Sequence, residues 1–306
     1  MPHDLDQQIR LAAFSWLRDQ VQMHGEVLPR TLLATGFLWN GQQVPILGPQ
    51  GIFKPRVIPS IPLSITTSPK GPYDDHFGAD GLLRYAYRGT NPQHHENIGL
   101  RDAMRERRPL VYLHGIVPGK YLAAWPAYIV HDEIKNLMFS VALDDAQFIS
   151  AALRHSSEHL VSEPDDSARR AYITGAYRQR LHQKAFRERV LHAYRMQCAL
   201  CRLRHEELLD AAHIIPDTEP DGDPIVQNGL SLCKLHHSAY DRSFLTIRPD
   251  YIIEIRDDIL TENDGPMLQH GLKELHNTKI IVPASLTLRP DPERLRYRYE
   301  QFLASS

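Results

Sequence analysis

The sequence predicts an α+β chain of two domains, a mostly β N-terminal half and a metal-stapled C-terminal half, with a long basic helix leading into the second. Three observations carry this. Short apolar runs broken by Gly and Pro fill Leu28 to about Ala142, the pattern of β-strands and turns. A long helical stretch rich in arginine follows from about Ser167 to Met196. All three cysteines then fall between positions 198 and 233, with Cys198 and Cys201 at a two-residue gap and Cys233 followed at the same pitch by His236.

Taken in order, Gln7 to Met23 has Ile9, Leu11, Phe14, Trp16, Leu17 and Val21 at roughly helical spacing and predicts an amphipathic opening helix. Strands are expected over Thr35–Trp39, Val44–Leu47, Ile61–Thr66, Leu82–Tyr87, Leu110–His114, Tyr121–Val130 and Met138–Leu143. Asp144 to Asp166 is polar and mixed, and Pro164-Asp165-Asp166 reads as a break before the long helix. The domains are therefore expected over 1–150 and 151–306, the basic helix going with the second. Past the cysteines, Phe244–Ile247 and Tyr251–Ile255 look like paired strands, and Asp291–Ala304 like a closing helix.

Composition sets outer bounds. The chain has 306 residues, 42% hydrophobic and 24% charged, as a soluble globular protein of two cores would. Met1 to Arg30 carries no basic leader or long apolar run, and no later segment approaches the roughly 20 apolar residues of a membrane span. A cytoplasmic protein without a membrane partner is expected. An odd number of cysteines argues against a disulfide scaffold and fits thiolates shared by one metal in a reducing compartment. The net charge of -2 offers no global attraction to nucleic acid, so any such argument must be local. From Ser167 to Arg204 ten basic residues face one acidic residue, Glu188. A solvated helix face is the usual meaning of such a run, but beside a metal motif phosphate contact is the better reading.

Cys198, Cys201, Cys233 and His236 have the spacing of a structural Zn2+ site. With these set aside, His213 in Asp210-Ala211-Ala212-His213-Ile214-Ile215-Pro216, Asn228 in Asn228-Gly229-Leu230, and His237 stand in a fixed order. That segment resembles the HNH endonucleases, whose ββα-metal fold places a histidine on the first strand and a metal ligand on the helix after the second. The resemblance covers roughly Phe186 to Ile255. It implies that His213 is the general base, that Asn228 fixes the loop and orients it, and that His237 binds a catalytic Mg2+ or another divalent cation. Many members carry an aspartate directly before the base, where this chain has Ala212. On an extended strand Asp210 points to the same side as Ala212 and could take that place. His94, His95 and His114 have no matching spacing and read as structural. Asn-Gly at 228 and 229 would by itself signal only a turn.

Gly71-Pro72-Tyr73-Asp74-Asp75, then Tyr85-Ala86-Tyr87-Arg88-Gly89 and Asn97-Ile98-Gly99-Leu100, resemble the SRA (SET- and RING-associated) domain, a curved PUA-like β fold that flips modified cytosine out of DNA. The resemblance implies that Tyr73 and Tyr87 stack on the base and that Asp75 or Asp74 reads its edge, a carboxylate matching the cytosine N4 donor. The family's usual segment has one more residue between tyrosine and the acidic pair than this chain has. Arg101, Arg105, Arg107 and Arg108 form a second basic cluster, suited to phosphates or simply to solvent.

Together these readings imply a modification-dependent restriction endonuclease acting on double-stranded DNA, with a homodimer suggested by one active site per chain. The alternatives are an HNH nuclease of repair, mobile-element or toxin type whose N-terminal domain reads another ligand, and a non-enzymatic DNA-binding protein.

Overall fold

The computed structural model describes residues 2–68, 76–78, 80–143 and 166–305. The chain divides into two compact units, Met1–Leu181 and His182–Ser306. The division falls inside the long helix, while the boundary expected near residue 150 lies outside the described residues.

The first unit opens with α1 (Pro2–His24), then β1 (Val27–Pro29), α2 (Arg30–Thr35) and the hairpin of β2 (Phe37–Trp39) and β3 (Gln42–Val44). Next come β4 (Ile52–Phe53), β5 (Ser64–Thr67), β6 (His76–Phe77), β7 (Leu83–Ala86), α3 (His95–Arg105), β8 (Leu110–Val117), β9 (Lys120–Glu133) and β10 (Met138–Leu143). The main sheet runs β4-β5-β8-β9-β10-β7-β6, with β1 added alongside β9. Only β5 and β8 pair in parallel among these strands. The fourteen residues of β9 serve β1 and β8 at one end and β10 at the other, with register shifts in both longer ladders. Such shifts bend a strand and raise its twist.

Helical periodicity places Ile9, Ala13 and Leu17 of α1 on one buried stripe against Leu28, Leu33, Phe37, Val44, Val111 and Leu113. Leu11, counted in the periodic pattern, faces solvent at 59% exposure. The expected mostly β half thus contains two sizeable helices. Asn97-Ile98-Gly99-Leu100 lies in α3, capped by His94 Nδ1, which accepts the Glu96 N–H. Buried Asn97 accepts from Arg88 N at 2.8 Å and donates to Arg88 O and Asn91 O, which makes it a loop lock.

The helix α4 (Asp166–Ala193) enters the second unit, which continues through β11 (Leu209–His213), β12 (Gly229–Cys233), α5 (Lys234–Asp241), β13 (Leu245–Ile247), β14 (Ile253–Ile255), α6 (Asp257–Thr261), α7 (Pro266–Gly271) and α8 (Pro292–Ser305). β11 and β12 form an antiparallel pair with Asp210 opposite Leu232 and His213 opposite Gly229, and β13 pairs with β14. The core joins Phe186, Val190 and Tyr194 of the α4 end to Leu209, Ala212, Leu230, Leu232, Tyr240 and Leu295. A hairpin and the helix behind it are thereby held on one apolar platform. No described helix is long and apolar enough to cross a membrane.

Candidate nuclease centre

The four zinc-spaced residues meet. Their ligand atoms all lie within 4.8 Å of one another. His236 Nδ1 is 3.2 Å from Cys233 Sγ and 3.4 Å from Cys198 Sγ, and Cys201 Sγ is 3.9 Å from Cys233 Sγ. A tetrahedral ion with Zn–S near 2.3 Å and Zn–N near 2.0–2.1 Å implies edges of about 3.5–3.8 Å, so the donor set fits Zn2+. Local structure explains the convergence. Cys198 N donates to Leu203 O and Arg202 N to Cys198 O, turning the chain so that Cys201 comes back beside Cys198. Cys233 ends β12 and His236 lies one turn into α5. His236 Nε2 pairs with Gly271 O at 2.7 Å, a bond that fixes the ring and leaves Nδ1 facing the sulfurs. Burial opposes charge on His236, yet its contacts with Cys198 and Cys233 push its pKa up to about 10.

The catalytic candidates sit on the same hairpin and helix. His213 closes β11 with its ring stacked on Phe186, centroids 4.0 Å apart and planes 18° from parallel. Its Nε2 is buried and meets no hydrogen-bond partner among the described residues. Burial lowers its pKa, against the pull of Asp217, which favours the neutral imidazole that a general base needs.

Asn228 is fully buried and clamps the chain just beyond that base. Its Oδ1 accepts from Ile215 N at 2.9 Å, and its Nδ2 donates to Ile215 O at 2.9 Å and Asp223 O at 3.1 Å. Ile214 N donates to its backbone carbonyl. Gly229 is extended, with φ -132°, so Asn-Gly makes no turn here. The glycine answers a close approach instead: a Cβ there would meet Val190 Cγ2 at 2.4 Å and Phe186 Cζ at 3.0 Å.

His237 and Asp210 also come together, with Nδ1 and Oδ2 3.6 Å apart. Burial opposes ionisation of Asp210, but the His237 contact and the Ala211 N–H bring its pKa down to about 2. Contact with Asp210 raises the His237 pKa in turn. The 3.6 Å gap can be bridged by a divalent cation held at about 2.1 Å from each atom, so the pair fits such an ion.

Three neighbours escaped sequence reasoning as site residues. Asp241 lies 3.3 Å from His237 Nε2, the nitrogen turned away from Asp210, and so fixes the ring from behind. Its spacing of four residues on a helix was a readable signal. Arg187 donates to Glu206 O and Leu209 O and brings Nε to 3.6 Å from Asp210 Oδ1. Like Phe186, it comes from α4, twenty-odd residues earlier in the chain, and no local pattern reveals that.

In the first unit Tyr73, Asp74 and Asp75 lie outside the described residues. Tyr87 is 1% exposed, its ring stacked on Phe139 at 4.5 Å and its hydroxyl donating to Asp132. Asp132 is also bonded by Arg101 Nε at 2.6 Å. These are packing contacts, and in this structure they leave no open stacking face on Tyr87. The second basic cluster divides: Arg101 is committed to Asp132 and Arg108 is 14% exposed beside Asp6 and Glu106, whereas Arg105 and Arg107 face solvent.

The hairpin β11–β12 and helix α5 together carry a histidine with an unpaired nitrogen and a carboxylate–histidine pair. Residues 198–248 match the HNH endonuclease family, and the chain accordingly carries the domain of a metal-dependent DNA endonuclease. No curated protein matches the chain. Among solved structures it is similar to the modification dependent TagI restriction endonuclease, with 16% identity, 79% of this chain and 82% of that one covered, and a TM-score of 0.29. It is also similar to the Type IV phosphorothioation-dependent restriction endonuclease ScoMcrA, with 15% identity and a TM-score of 0.22. That alignment covers 81% of this chain and 60% of ScoMcrA. At these scores the identification rests on the family match and the site.

Proposed function

We propose that the protein is a modification-dependent restriction endonuclease whose N-terminal unit reads modified cytosine in double-stranded DNA and whose HNH domain cuts it. The observation that carries the nuclease half is that His213 and Asp210 share strand β11 while His237, paired with Asp210, lies on the helix after β12. His213 takes a proton from water as the water oxygen forms its bond to phosphorus; the P–O bond to the sugar oxygen breaks, and that oxygen leaves and is protonated by solvent. Asp210 and His237 would hold Mg2+ or a similar cation, which supplies charge neutralisation at the phosphate and leaving oxygen. Asn228 keeps the base in place, and Asp241 and Arg187 orient the two ligands. Arg195, Arg202 and Arg204 are exposed on the same unit and suit phosphate contact.

The reading half rests on the SRA resemblance around Tyr73, Asp74, Asp75 and Tyr87. Phe139 covers one face of Tyr87, so the role that the resemblance gives this ring is the part of the reading most exposed to test. An HNH centre reads little sequence, so a separate reader is what would spare unmodified DNA. Two chains acting together would cut both strands, and three cysteines without a disulfide suit a cytoplasmic site of action. The deep burial of Tyr87 favours one alternative, an HNH nuclease whose first unit reads another ligand. Cleavage of matched plasmids carrying plain, methylated, hydroxymethylated or glucosylated cytosine decides between them. Selective cutting of a modified plasmid is expected. Equal cutting of all four removes the reader and leaves the nuclease.

A further inference from the structure

We infer that Phe186 is a positioning residue for the cleavage reaction: its ring, pressed flat on the His213 imidazole, sets the plane of the base, and Gly229 makes that contact geometrically allowed. This rests on His213 acting as the base. Three observations converge. The rings lie 4.0 Å apart at 18°, close enough that the imidazole cannot rotate about χ2 without striking the phenyl face. Phe186 is itself held, 2% exposed in the core with Val190 and Leu230. Gly229, directly opposite His213 in the hairpin, leaves no room for a Cβ between β12 and the helix bearing Phe186 and Val190.

The remaining ring freedom is taken up from the other side of the chain. Asn228 bonds both backbone polar groups of Ile215, fixing the strand end from which His213 projects. The charged groups acting on His213 are Asp217 from the following loop and His237 and Asp241 from α5, whereas α4 presents an uncharged ring. The base is thus oriented by shape on one face, while charged groups act on it from the following loop and from α5. Sub-ångström placement of this kind is where rate is lost without loss of affinity.

The test uses the full-length, zinc-loaded protein and Phe186→Leu, which keeps an apolar side chain and removes the flat face. Without added divalent cation, the His213 ring protons, identified by their loss in His213→Ala, are expected upfield in the wild type through the ring current of Phe186. They should return to ordinary positions in Phe186→Leu. On fully cytosine-methylated supercoiled plasmid with magnesium, kcat should fall about 10- to 100-fold while KM stays within about twofold. Gly229→Ala keeps both rings but forces them apart, and the same two readouts should move in the same direction. It also preserves the test if Phe186→Leu does not fold. Resonances that stay put while activity falls would make Phe186 merely structural. Resonances that move with kcat unchanged would remove it from the reaction. A His213→Ala protein that nicks like wild type would overturn the base assignment itself, and Phe186 with it.

Discussion

Replacing Asn228 with alanine removes a clamp whose worth can be worked from its bonds. The side chain satisfies Ile215 N, Ile215 O and Asp223 O. Asp223 is exposed, so its carbonyl can turn to water, but Ile215 is only 6% exposed and its two groups would be left unpaired. At about 1–3 kcal/mol for each buried group stranded, and with some water entering the vacated space, the loss is about 2–4 kcal/mol. For a unit of this size that lowers the melting point by roughly 10 °C. Asn228→Asp sharpens the case. It keeps the acceptor for Ile215 N but sets a second carboxylate oxygen against the carbonyls of Ile215 and Asp223, so it should be no more stable than the alanine variant. The assay is thermal melting of zinc-loaded protein followed by plasmid cleavage well below either transition, where the loosened base should cost about 100-fold in kcat. An aspartate variant that melts and cuts like wild type would refute the reasoning.

His213→Ala should abolish cleavage while zinc content and melting stay near wild type, as measured by metal analysis and calorimetry. Cys198→Ser should lower solubility and melting temperature, because binding of a structural zinc is worth on the order of 10 kcal/mol and is coupled to folding; zinc-free protein that remains folded and active would end that assignment. His237→Ala should weaken magnesium binding by calorimetric titration, and an unchanged titration would move the ligand elsewhere. The Asp210–His237 pair also sets a pH window. Depressed Asp210 contributes stability above its unfolded pKa, lost as pH falls through about 2. Raised His237 contributes below its unfolded pKa, lost as pH rises through its higher folded value. In magnesium-free, zinc-loaded protein the decline in stability from pH 6 to pH 9 should therefore be shallower in Asp210→Asn, as followed by denaturant melts; an identical slope would show that the pair is not coupled in solution.

What the sequence made legible was short-ranged. The pitch of Cys198 to Cys201 and of Cys233 to His236 is set by a single turn of chain, and β13, β14 and α8 emerged from local periodicity and breakers. Distant docking was not legible. Phe186 and Arg187 are ordinary members of a basic helix until that helix packs against β11. The packing of Tyr87 has no local signal because its partners, Asp132 and Phe139, arrive from strands some fifty residues later. Asn97 falls in a segment that resembles a recognition domain, whereas its three bonds lock the loop between Arg88 and Asn91. Polar side chains that tie down backbone have no spacing signature, and in both units an asparagine does this work.

His236 and His237 are neighbours in the chain, one turned into the Cys3His cluster and the other towards Asp210. A single peptide unit, about 3.8 Å between Cα atoms, thus links the proposed zinc site to the proposed catalytic ligand. Such a linkage leaves little room for graded behaviour. A molecule lacking zinc loses the start of α5 and its catalytic ligand together, so a preparation half loaded with zinc should contain half its molecules fully competent and half inert. Its specific activity would then count zinc atoms, and titrating in the missing metal would restore the number of working enzymes without altering how fast each one works.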